Sequence, residues 1–402
     1  MKRCRLGDVA TVYLSNVDKK SKENQKEVVL CNYVDVYKNW AITNKIAKDF
    51  MVSTASDSEI EKFTLRKGNV ALTKDSETRD DIGISTYIAD DINNMILGYH
   101  NALIIPNEKL LDGKYLNAYL HSQTAKRYFE LNASGSGQRY TLTIDSILDL
   151  IVYMPELDEQ RRIGNIFSSI DKKIENNNAI NNNLEQQAMS LYDYWFTQYN
   201  FPDIDSKPYK LNGGILIYNN ILKRNIPKDW IVAPISEHTN IYQPQTISNE
   251  LFNETYNYEV YGGGGLIGRY FEYNHKESEV IISCRGNCGN FYFTSPKSWI
   301  TGNAMVVNPK DKNLSKYYLY HYFMRYGVKQ YLSGSVQKQL TRENLSIMNI
   351  VIPPKNILEA FDKIIKPIFD EILNHKLEIT KLNRLKNWLL PLLMNGQATI
   401  KE

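Results

Sequence analysis

The sequence predicts an α+β protein in which two mixed α/β domains are separated by two long helices, which form an antiparallel coiled coil with pseudo-twofold symmetry. This fold class follows from two observations. A heptad pattern of apolar residues occurs twice, at positions 198 residues apart, and a similar series of strand and loop segments precedes each copy. The expected parts are a first domain at 1–156, a first helix at 157–199, a linker with a second domain at 200–353, and a second helix at 354–397.

The heptad pattern defines the faces on which the two helices pair. Apolar residues recur at alternating steps of four and three, as at the a and d positions of a coiled coil. Each segment of roughly 40 residues would form a helix about 60 Å long. The predicted pairing residues are Ile163, Phe167, Ile170, Ile174, Asn177, Leu184 and Leu191 in the first helix, and Phe361, Ile365, Ile368, Ile372, His375, Leu382 and Leu389 in the second.

Each pattern has a polar residue near its middle, Asn177 in the first helix and His375 in the second. In an antiparallel pair related by a twofold axis, equivalent residues meet only where the helices cross. A polar pair at that point would fix the register at a cost in stability. The alternative is a frayed and solvated patch. We also expect Pro367 to kink the second helix or shift its hydrogen bonds locally.

Composition limits the class of protein without naming it. The 402 residues carry a formal net charge of +3, so any contact with nucleic acid must come from local basic patches. The four cysteines form no disulfide framework, and Cys284 and Cys288 lack the neighbouring ligands of a zinc site. We find no signal-peptide pattern and no run near the ~20 apolar residues of a membrane span. The expected location is the reducing cytoplasm.

The segments of the first domain recur in the second in the same order. Val280–Ser283 corresponds to the predicted strand Val70–Thr73, and 303–307 corresponds to 101–105. The polar loop Ser333-Gly-Ser-Val-Gln-Lys338 likewise corresponds to Ser134-Gly-Ser-Gly-Gln-Arg139. Further predicted elements of the first domain are a strand at 27–34, a strand at 84–89 and one helix at 115–131. The shared order is best explained by a duplication.

Two similar domains held by a rigid pair of helices suit a duplex that is read at two half-sites. The loops of both domains are small, polar and basic, and their amide and cationic groups can bind base edges and phosphates. Taken singly, each basic residue is more often a solvated surface charge, and the repeated loop positions favour the group and not any one member. The candidate DNA contacts are Lys74, Arg79, Ser136, Gln138, Arg139 and Tyr140 in the first domain, and Gly263, Gly264, Arg269, Arg285, Asn287, Gln337, Lys338 and Gln339 in the second.

Several stretches resemble specificity subunits of type I restriction–modification systems, over nearly the whole chain. The most specific are Tyr261-Gly-Gly-Gly-Gly-Leu-Ile-Gly268, the stretch 281–290 and Trp299-Ile-Thr-Gly-Asn-Ala304. Leu6-Gly-Asp-Val-Ala10, 66–73 and 158–163 resemble the opening, a later strand and the helix entry of the first half. Two features depart from the pattern. Gly264 stands where an asparagine is common, and the second helix entry at 354–358 lacks the Glu-Gln pattern of the first.

The resemblance implies a division of labour among subunits. Each domain, called a target-recognition domain in this family, would read one half of an interrupted double-stranded DNA target. The paired helices would set the gap and dock two adenine-methyltransferase (modification) subunits, and motor-nuclease (restriction) subunits would join them. S-adenosylmethionine, ATP and Mg would be bound by those partners. This chain would hold no cofactor, no metal and no catalytic residue, and it would not contact a membrane.

Two alternatives remain open from the sequence. The chain could be the reader of a related system in which restriction and modification share one partner chain. It could instead be a coiled-coil scaffold that joins two protein-binding domains without a DNA role. The glycine-rich loop 261–269 lacks the Gly-Lys-Ser/Thr of a nucleotide P-loop, and we find no methyltransferase catalytic motif. These absences favour a binding subunit.

Overall fold

A computed structural model describes residues 2–135, 137–286, 288–310, 313–334 and 338–400. The chain forms two compact units. Unit 1 comprises residues 1–178 together with 377–402, and unit 2 comprises 179–376. Both boundaries fall inside the long helices. Each unit therefore contains one mixed domain, one half of the first long helix and one half of the second.

Unit 1 contains short strands and short helices before its first long helix. The strands are β1 (Lys2–Arg5), β2 (Ala10–Leu14), β3 (Lys26–Cys31), β4 (Ala41–Ile42), β5 (Met51–Ala55), β6 (Val70–Thr73), β7 (Asp75–Ser76), β8 (Ser85–Ile88), β9 (Met95–Leu97), β10 (Asn101–Pro106), β11 (Ser134–Gly135), β12 (Tyr140–Thr141) and β13 (Ile151–Met154). The helices are α1 (Leu6–Val9), α2 (Tyr33–Lys38), α3 (Asn44–Ala47), α4 (Asp57–Phe63), α5 (Gly113–Leu120), α6 (Gln123–Asn132), α7 (Ile144–Leu148) and α8 (Leu157–Tyr192).

The centre of unit 1 is a five-stranded sheet in the order β2-β10-β6-β8-β4. Neighbouring strands of this sheet are antiparallel, except that β8 and β4 are parallel to each other. Alternate residues of β6 and β10 enter hydrophobic cores on opposite sides of the sheet. Leu72 and Ile104 pack in one core, and Ala71 and Leu103 pack in the other. Because both faces are covered, these strands are continuous apolar runs without alternation.

Unit 2 has the same kinds of element. Its strands are β14 (Leu216–Asn219), β15 (Arg224–Pro227), β16 (Ile231–Pro234), β17 (Thr239–Tyr242), β18 (Tyr258–Gly262), β19 (Gly265–Tyr270), β20 (Val280–Ser283), β21 (Phe291–Phe293), β22 (Trp299–Ile300), β23 (Ala304–Pro309) and β24 (Asn349–Ile352). Its helices are α9 (Ile235–His238), α10 (Lys316–Tyr326), α11 (Arg342–Ser346) and the long α12 (Lys355–Met394), with 3-10 turns at Asn249–Leu251 and Lys329–Tyr331.

The two units share one topology, which agrees with the predicted duplication. The ribbon β1-β13 of unit 1 matches β16-β24 of unit 2, and the sheet order β2-β10-β6-β8 matches β17-β23-β20-β21. A three-stranded sheet also occurs in both, with one antiparallel and one parallel neighbour around β3 and around β18. The units differ in the connection between the two antiparallel strands of this sheet. The connection from β3 to β5 in unit 1 runs from residue 31 to residue 51. The connection from β18 to β19 in unit 2 is a tight turn between Gly262 and Gly265.

Two predicted elements of the first domain were wrong in extent. The strand predicted to run to 34 ends at Cys31, because Asn32 and Asp35 form a capping box that starts α2. The helix predicted over 115–131 is divided into α5 and α6. The Ser122 hydroxyl accepts a hydrogen bond from the Ala125 amide and so caps a new helix.

The long helices follow the heptad prediction. α8 runs without a break through the asparagine-rich stretch 176–183, and a π-helical turn, Asp193–Thr197, continues it. α12 is one helix that includes Pro367, and a local kink at this residue stays a prediction. The predicted pairing residues are all buried or half-buried. The buried ones are Ile163, Phe167, Ile170, Asn177, Phe361, Ile365 and Ile372.

Within each unit, the halves of α8 and α12 run antiparallel. In unit 1, Glu378 lies 3.5 Å from the Lys173 ammonium, whereas Lys386, further along α12, reaches back to Asp171 at 4.0 Å. The last turns of α12 then enter the core of the first domain through Leu393. The opposite directions confirm the predicted antiparallel pairing.

The polar residues at the helix midpoints have partners other than the predicted ones. The buried Asn177 side-chain amide donates to the Glu378 carboxylate at 2.7 Å in unit 1. In unit 2, a ring nitrogen of His375 lies 2.9 Å from the Asn181 side-chain oxygen. Each contact is displaced by about one helical turn from the expected Asn177–His375 pair. Two polar contacts, one in each unit, thus occur near the middle of the helices.

Phe361 is the best single test of how α12 anchors the second domain. Its fully buried ring contacts the rings of Tyr192, Phe196 and His321. Phe361→Ala would leave a cavity, so we expect a loss of about 3–5 kcal/mol in the free energy of unfolding, measured by chemical denaturation. Trp388→Ala is the matched control, because that ring is 63% exposed and its removal should change stability by less than about 0.5 kcal/mol. Equal effects of the two changes would contradict this packing.

Candidate nucleic-acid interface

In each unit, the predicted polar loop forms a hairpin that packs on the turn after the central strand. The central strand is β6 in unit 1 and β20 in unit 2. In unit 1, β12 pairs with both β11 and β7, and the Leu142 amide donates to the Lys74 carbonyl at 2.7 Å. In unit 2, Ser333 and Gln339 exchange backbone hydrogen bonds, and the Leu340 amide donates to the Cys284 carbonyl at 3.3 Å. The candidate loops, which are far apart in the sequence, are therefore neighbours in both units.

The Asp75 carboxylate is the centre of the unit 1 surface. One oxygen accepts a hydrogen bond from the Thr141 hydroxyl at 2.6 Å. The other oxygen lies 3.0 Å from the Lys74 ammonium, 3.2 Å from a terminal nitrogen of Arg139 and 2.6 Å from a ring nitrogen of His100. The same Arg139 nitrogen also contacts the His100 ring. Three chain segments are thus joined by one side chain.

The charge of Asp75 is stabilised by these contacts. Burial by itself raises the pKa of this carboxyl group, because its side chain is only 7% exposed. Hydrogen bonds from Thr141, His100 and Lys74 outweigh burial and lower the pKa to about 2. Asp75 is therefore ionised at any physiological pH, and it can hold cationic groups in place.

Exposed polar groups surround this centre. The Gln138 and Arg139 side chains are exposed on the hairpin, and the Arg79 guanidinium lies 5.0 Å from the centre of the Tyr140 ring. An open pocket of about 580 Å³ lies beside them. Its lining is made of hairpin residues, the segment after β6, one face of α2 and the residue before β10, namely Tyr33, Tyr37, Asp75, Ser76, Glu77, Thr78, Asp81, His100, Gln138 and Arg139.

Lys74, one of the candidate DNA contacts, is buried in the structure. Only 7% of the residue is exposed, and its ammonium is held between the Asp75 carboxylate and the Tyr99 ring, 4.8 Å from the ring centre. Its observed role is to support the Asp75 cluster. A contact from Lys74 to DNA stays a prediction that requires this cluster to open.

In unit 2, a glycine turn, an arginine turn and the hairpin lie together. Gly265 has φ +88°, the left-handed value that glycine adopts freely and that closes the tight turn after Gly263 and Gly264. A Cβ atom on Gly263 would lie 2.7 Å from the Arg285 carbonyl oxygen, so only glycine fits there. The Cys288 thiol donates to the Lys338 carbonyl at 2.9 Å and joins the arginine turn to the hairpin.

The remaining unit 2 candidates differ in exposure. Arg285, Lys338 and Gln339 are exposed, and a Cβ atom on Gly264 would meet only an Ile267 methyl, at 3.8 Å. Arg269 is mostly buried, with its side chain 13% exposed, and its guanidinium lies 3.5 Å from Glu259. Its observed partners include the Glu259 carboxylate on the neighbouring strand and the Asn257 carbonyl, to which it donates at 3.2 Å. The candidates Ser136, Asn287 and Gln337 lie outside the described residues.

Sequence reasoning missed several residues of the unit 1 surface. Asp75 and Thr141 directly adjoin the predicted Lys74 and Tyr140, but a carboxylate is not expected in a basic loop that faces DNA, and Thr141 lies outside the predicted polar loop. His100 lies in no sequence motif that connects it with Asp75 or Arg139. Tyr33 was missed because its segment was predicted as the end of a strand, whereas Tyr33 and Tyr37 both lie on the helix α2.

Metal and membrane sites receive no support from the described part of the chain. No group of histidine, cysteine or acidic residues there has the arrangement of a metal site. None of the described helices combines the length and apolar character needed to span a bilayer.

The fold has two similar mixed domains, each with a repeated loop surface, and two long paired helices, and comparison with known proteins assigns its family. Residues 1–186 and 227–387 match the family described as Type I restriction modification DNA specificity domain. The chain belongs to this family, and both of its domains are included in the match.

Named relatives agree with this assignment over most of the chain. The chain is 24% identical to the Type I restriction enzyme MjaIX specificity subunit of Methanocaldococcus jannaschii, with 86% of this chain and 82% of the relative covered. It is 22% identical to the Type I restriction enzyme HindI specificity subunit of Haemophilus influenzae, with 84% and 88% covered. The crystal structure of the type I restriction-modification system S subunit from M. genitalium has the same fold, with a TM-score of 0.59 at 15% identity and 98% and 95% covered.

The Asp75 network makes a prediction about stability. Asp75→Asn should lower the free energy of unfolding by about 2 kcal/mol near neutral pH, since the folded pKa of about 2 lies below the usual 3.8. A lowered folded pKa stabilises the protein above about pH 4, and the stabilisation is lost as the pH falls towards 2. The two proteins should therefore converge in denaturant titrations as the pH falls below 4.

The exposed Asp49 provides the control for this experiment. Asp49→Asn should leave the free energy of unfolding within about 0.5 kcal/mol of the unaltered protein at every pH. A difference between the Asp75 variant and the unaltered protein that stays constant from pH 7 to pH 3 would contradict the proposed charge stabilisation.

Proposed function

We propose that this chain is the sequence-specific DNA-recognition subunit of a type I restriction–modification complex, and that each domain reads one half of an interrupted duplex target. The observation that carries the proposal is the repeated surface. In both units, a hairpin with amide and basic side chains docks on the turn after the central strand. Membership in the DNA specificity family agrees with that geometry.

The two surfaces have different chemistry, which suits two different half-sites. In unit 1, the turn after the central strand presents Asp75 and its bound cations, next to a pocket with two tyrosines. In unit 2, the corresponding turn presents the exposed Arg285 beside a glycine turn. Since base pairs differ in their pattern of donors and acceptors, unlike side chains should select unlike sequences.

The proposal assigns catalysis to other chains. The paired helices would set the gap between half-sites and dock two adenine-methyltransferase subunits, and motor-nuclease subunits would complete a cytoplasmic complex. S-adenosylmethionine, ATP and Mg would be bound by those partners. Large apolar side chains on the C-terminal half of α12 support a protein-facing role, since Trp388, Leu385 and Leu377 are 63%, 41% and 50% exposed.

Salt dependence of duplex binding tests the proposal against a protein scaffold. The chain, purified with its natural modification subunits, is titrated with duplexes that contain the methylated genomic motif or a scrambled one. Phosphate contacts release counterions, so affinity should fall roughly 10³- to 10⁵-fold between about 50 and 200 mM salt if six to ten phosphates are bound. Equal affinity for both duplexes, or binding that is insensitive to salt, would contradict a DNA reader.

The spacer role of the helices makes a geometric prediction. Deletion of one heptad from each long helix shortens the rise by about 10 Å, which equals about three base pairs at 3.4 Å per pair. The gap in the methylated motif should shrink while both half-site sequences stay the same. New half-site sequences would mean that the helices read bases, and an unchanged gap would mean that they do not set the spacing.

A further inference from the structure

A carboxylate occupies a position in unit 1 where unit 2 has an arginine. The Leu142 amide bonds to the Lys74 carbonyl in unit 1, and the Leu340 amide bonds to the Cys284 carbonyl in unit 2. The residues that follow these carbonyls are Asp75 and Arg285. An anion on a surface that meets phosphates is unfavourable, so Asp75 needs another role.

The contacts of Asp75 show that it does not read a base itself. Both of its oxygens already accept hydrogen bonds, from Thr141 on one side and from Lys74, His100 and Arg139 on the other. Its side chain is only 7% exposed. Asp75 is therefore a fixed anchor for the cations around it.

Arg139 is the anchored group that remains accessible. Its side chain is 53% exposed, and within the described chain its hydrogen bond to Asp75 and its contacts with the His100 ring use one terminal nitrogen. Its backbone adjoins β12, which pairs with β7, so main chain and guanidinium are both held. The other N–H groups of the guanidinium are left to bind a ligand in the pocket that Arg139 lines.

The charges of the pocket favour a base edge over a phosphate. Three carboxylates line it, from Asp75, Glu77 and Asp81, and they would repel a phosphate. A guanidinium that is fixed in orientation suits a planar ligand with two adjacent acceptors. Guanine presents such a pair, N7 and O6, at its major-groove edge, and arginine is the side chain that most often binds it.

We propose that Arg139 reads a guanine in the half-site bound by the first domain, and that Asp75 is the positioning residue that orients its guanidinium. This inference rests on the proposed function. It goes further by assigning one side chain to one base, and it distinguishes Arg139 from cations that contact phosphates.

The test replaces each guanine of the first half-site in turn with 7-deazaguanine, which lacks the N7 acceptor but keeps Watson–Crick pairing. The complex of this chain with its modification subunits should lose roughly 5- to 150-fold in affinity at one guanine. The Arg139→Ala complex should bind natural and modified duplexes equally, whereas the Arg139→Lys complex should keep at most part of the discrimination, because an ammonium can still donate to guanine N7 but lacks the planar pair of N–H donors. Arg139→Lys keeps the charge, so its salt dependence should match that of the unaltered complex.

Asp75→Asn tests the positioning role separately. It should reduce the discrimination against 7-deazaguanine without weakening the binding of a scrambled duplex, since the change removes a negative charge from the surface. Arg127→Ala is the matched control, since Arg127 is exposed on α6 and does not line the pocket. That variant should keep full discrimination at the same guanine.

Three outcomes would overturn the inference in distinguishable ways. Specific binding that tolerates 7-deazaguanine at every position would remove the guanine contact and leave the proposed function intact. Full discrimination at the same guanine in Arg139→Ala, together with a smaller salt dependence, would make Arg139 a phosphate contact. Absence of sequence-specific duplex binding by the unaltered complex would overturn both this inference and the proposed function.

Discussion

The fold depends on the packing of helix halves that are distant in the sequence. The first domain shares its core with the start of α8 and the end of α12, so residues such as Ile163 and Leu393 belong to one hydrophobic cluster. The second domain likewise packs against the end of α8 and the start of α12, through Tyr192 and Phe361. Neither domain completes its core from its own segment alone. The repeated arrangement therefore requires both helices to be long and continuous.

Charged groups buried in this packing help to define its register. Burial lowers the pKa of Lys386 to about 8, and burial raises the pKa of Asp171 to about 6. The Lys386 ammonium also lies 3.5 Å from the centre of the Trp40 ring, which ties α12 to the first domain. A shift of one residue would leave these charges buried without partners, at a larger cost than the loss of an apolar contact.

The sequence predicted the parts of the fold that have a period. The heptads of α8 and α12 and the repeated strands could be read directly, because their burial recurs at fixed steps. The Asp75 cluster could not, since its members at 75, 100 and 139 come from separate turns and no local pattern connects them. Tyr33 was misplaced for a related reason: a β-branched run favoured a strand, but the side chains of Asn32 and Asp35 cap a helix there. The sequence also did not predict which candidate side chains are exposed. Lys74 is buried and Arg139 is exposed, although both were predicted as DNA contacts.

The central claim is that one chain reads both halves of an interrupted DNA target for a methyltransferase. The most direct measurement is a map of methylated adenines across the host genome, with the gene intact and with it deleted. The account predicts that one two-part interrupted motif loses methylation on deletion and regains it when the gene is restored. An unchanged map, in a strain shown to express the protein, would contradict the claim.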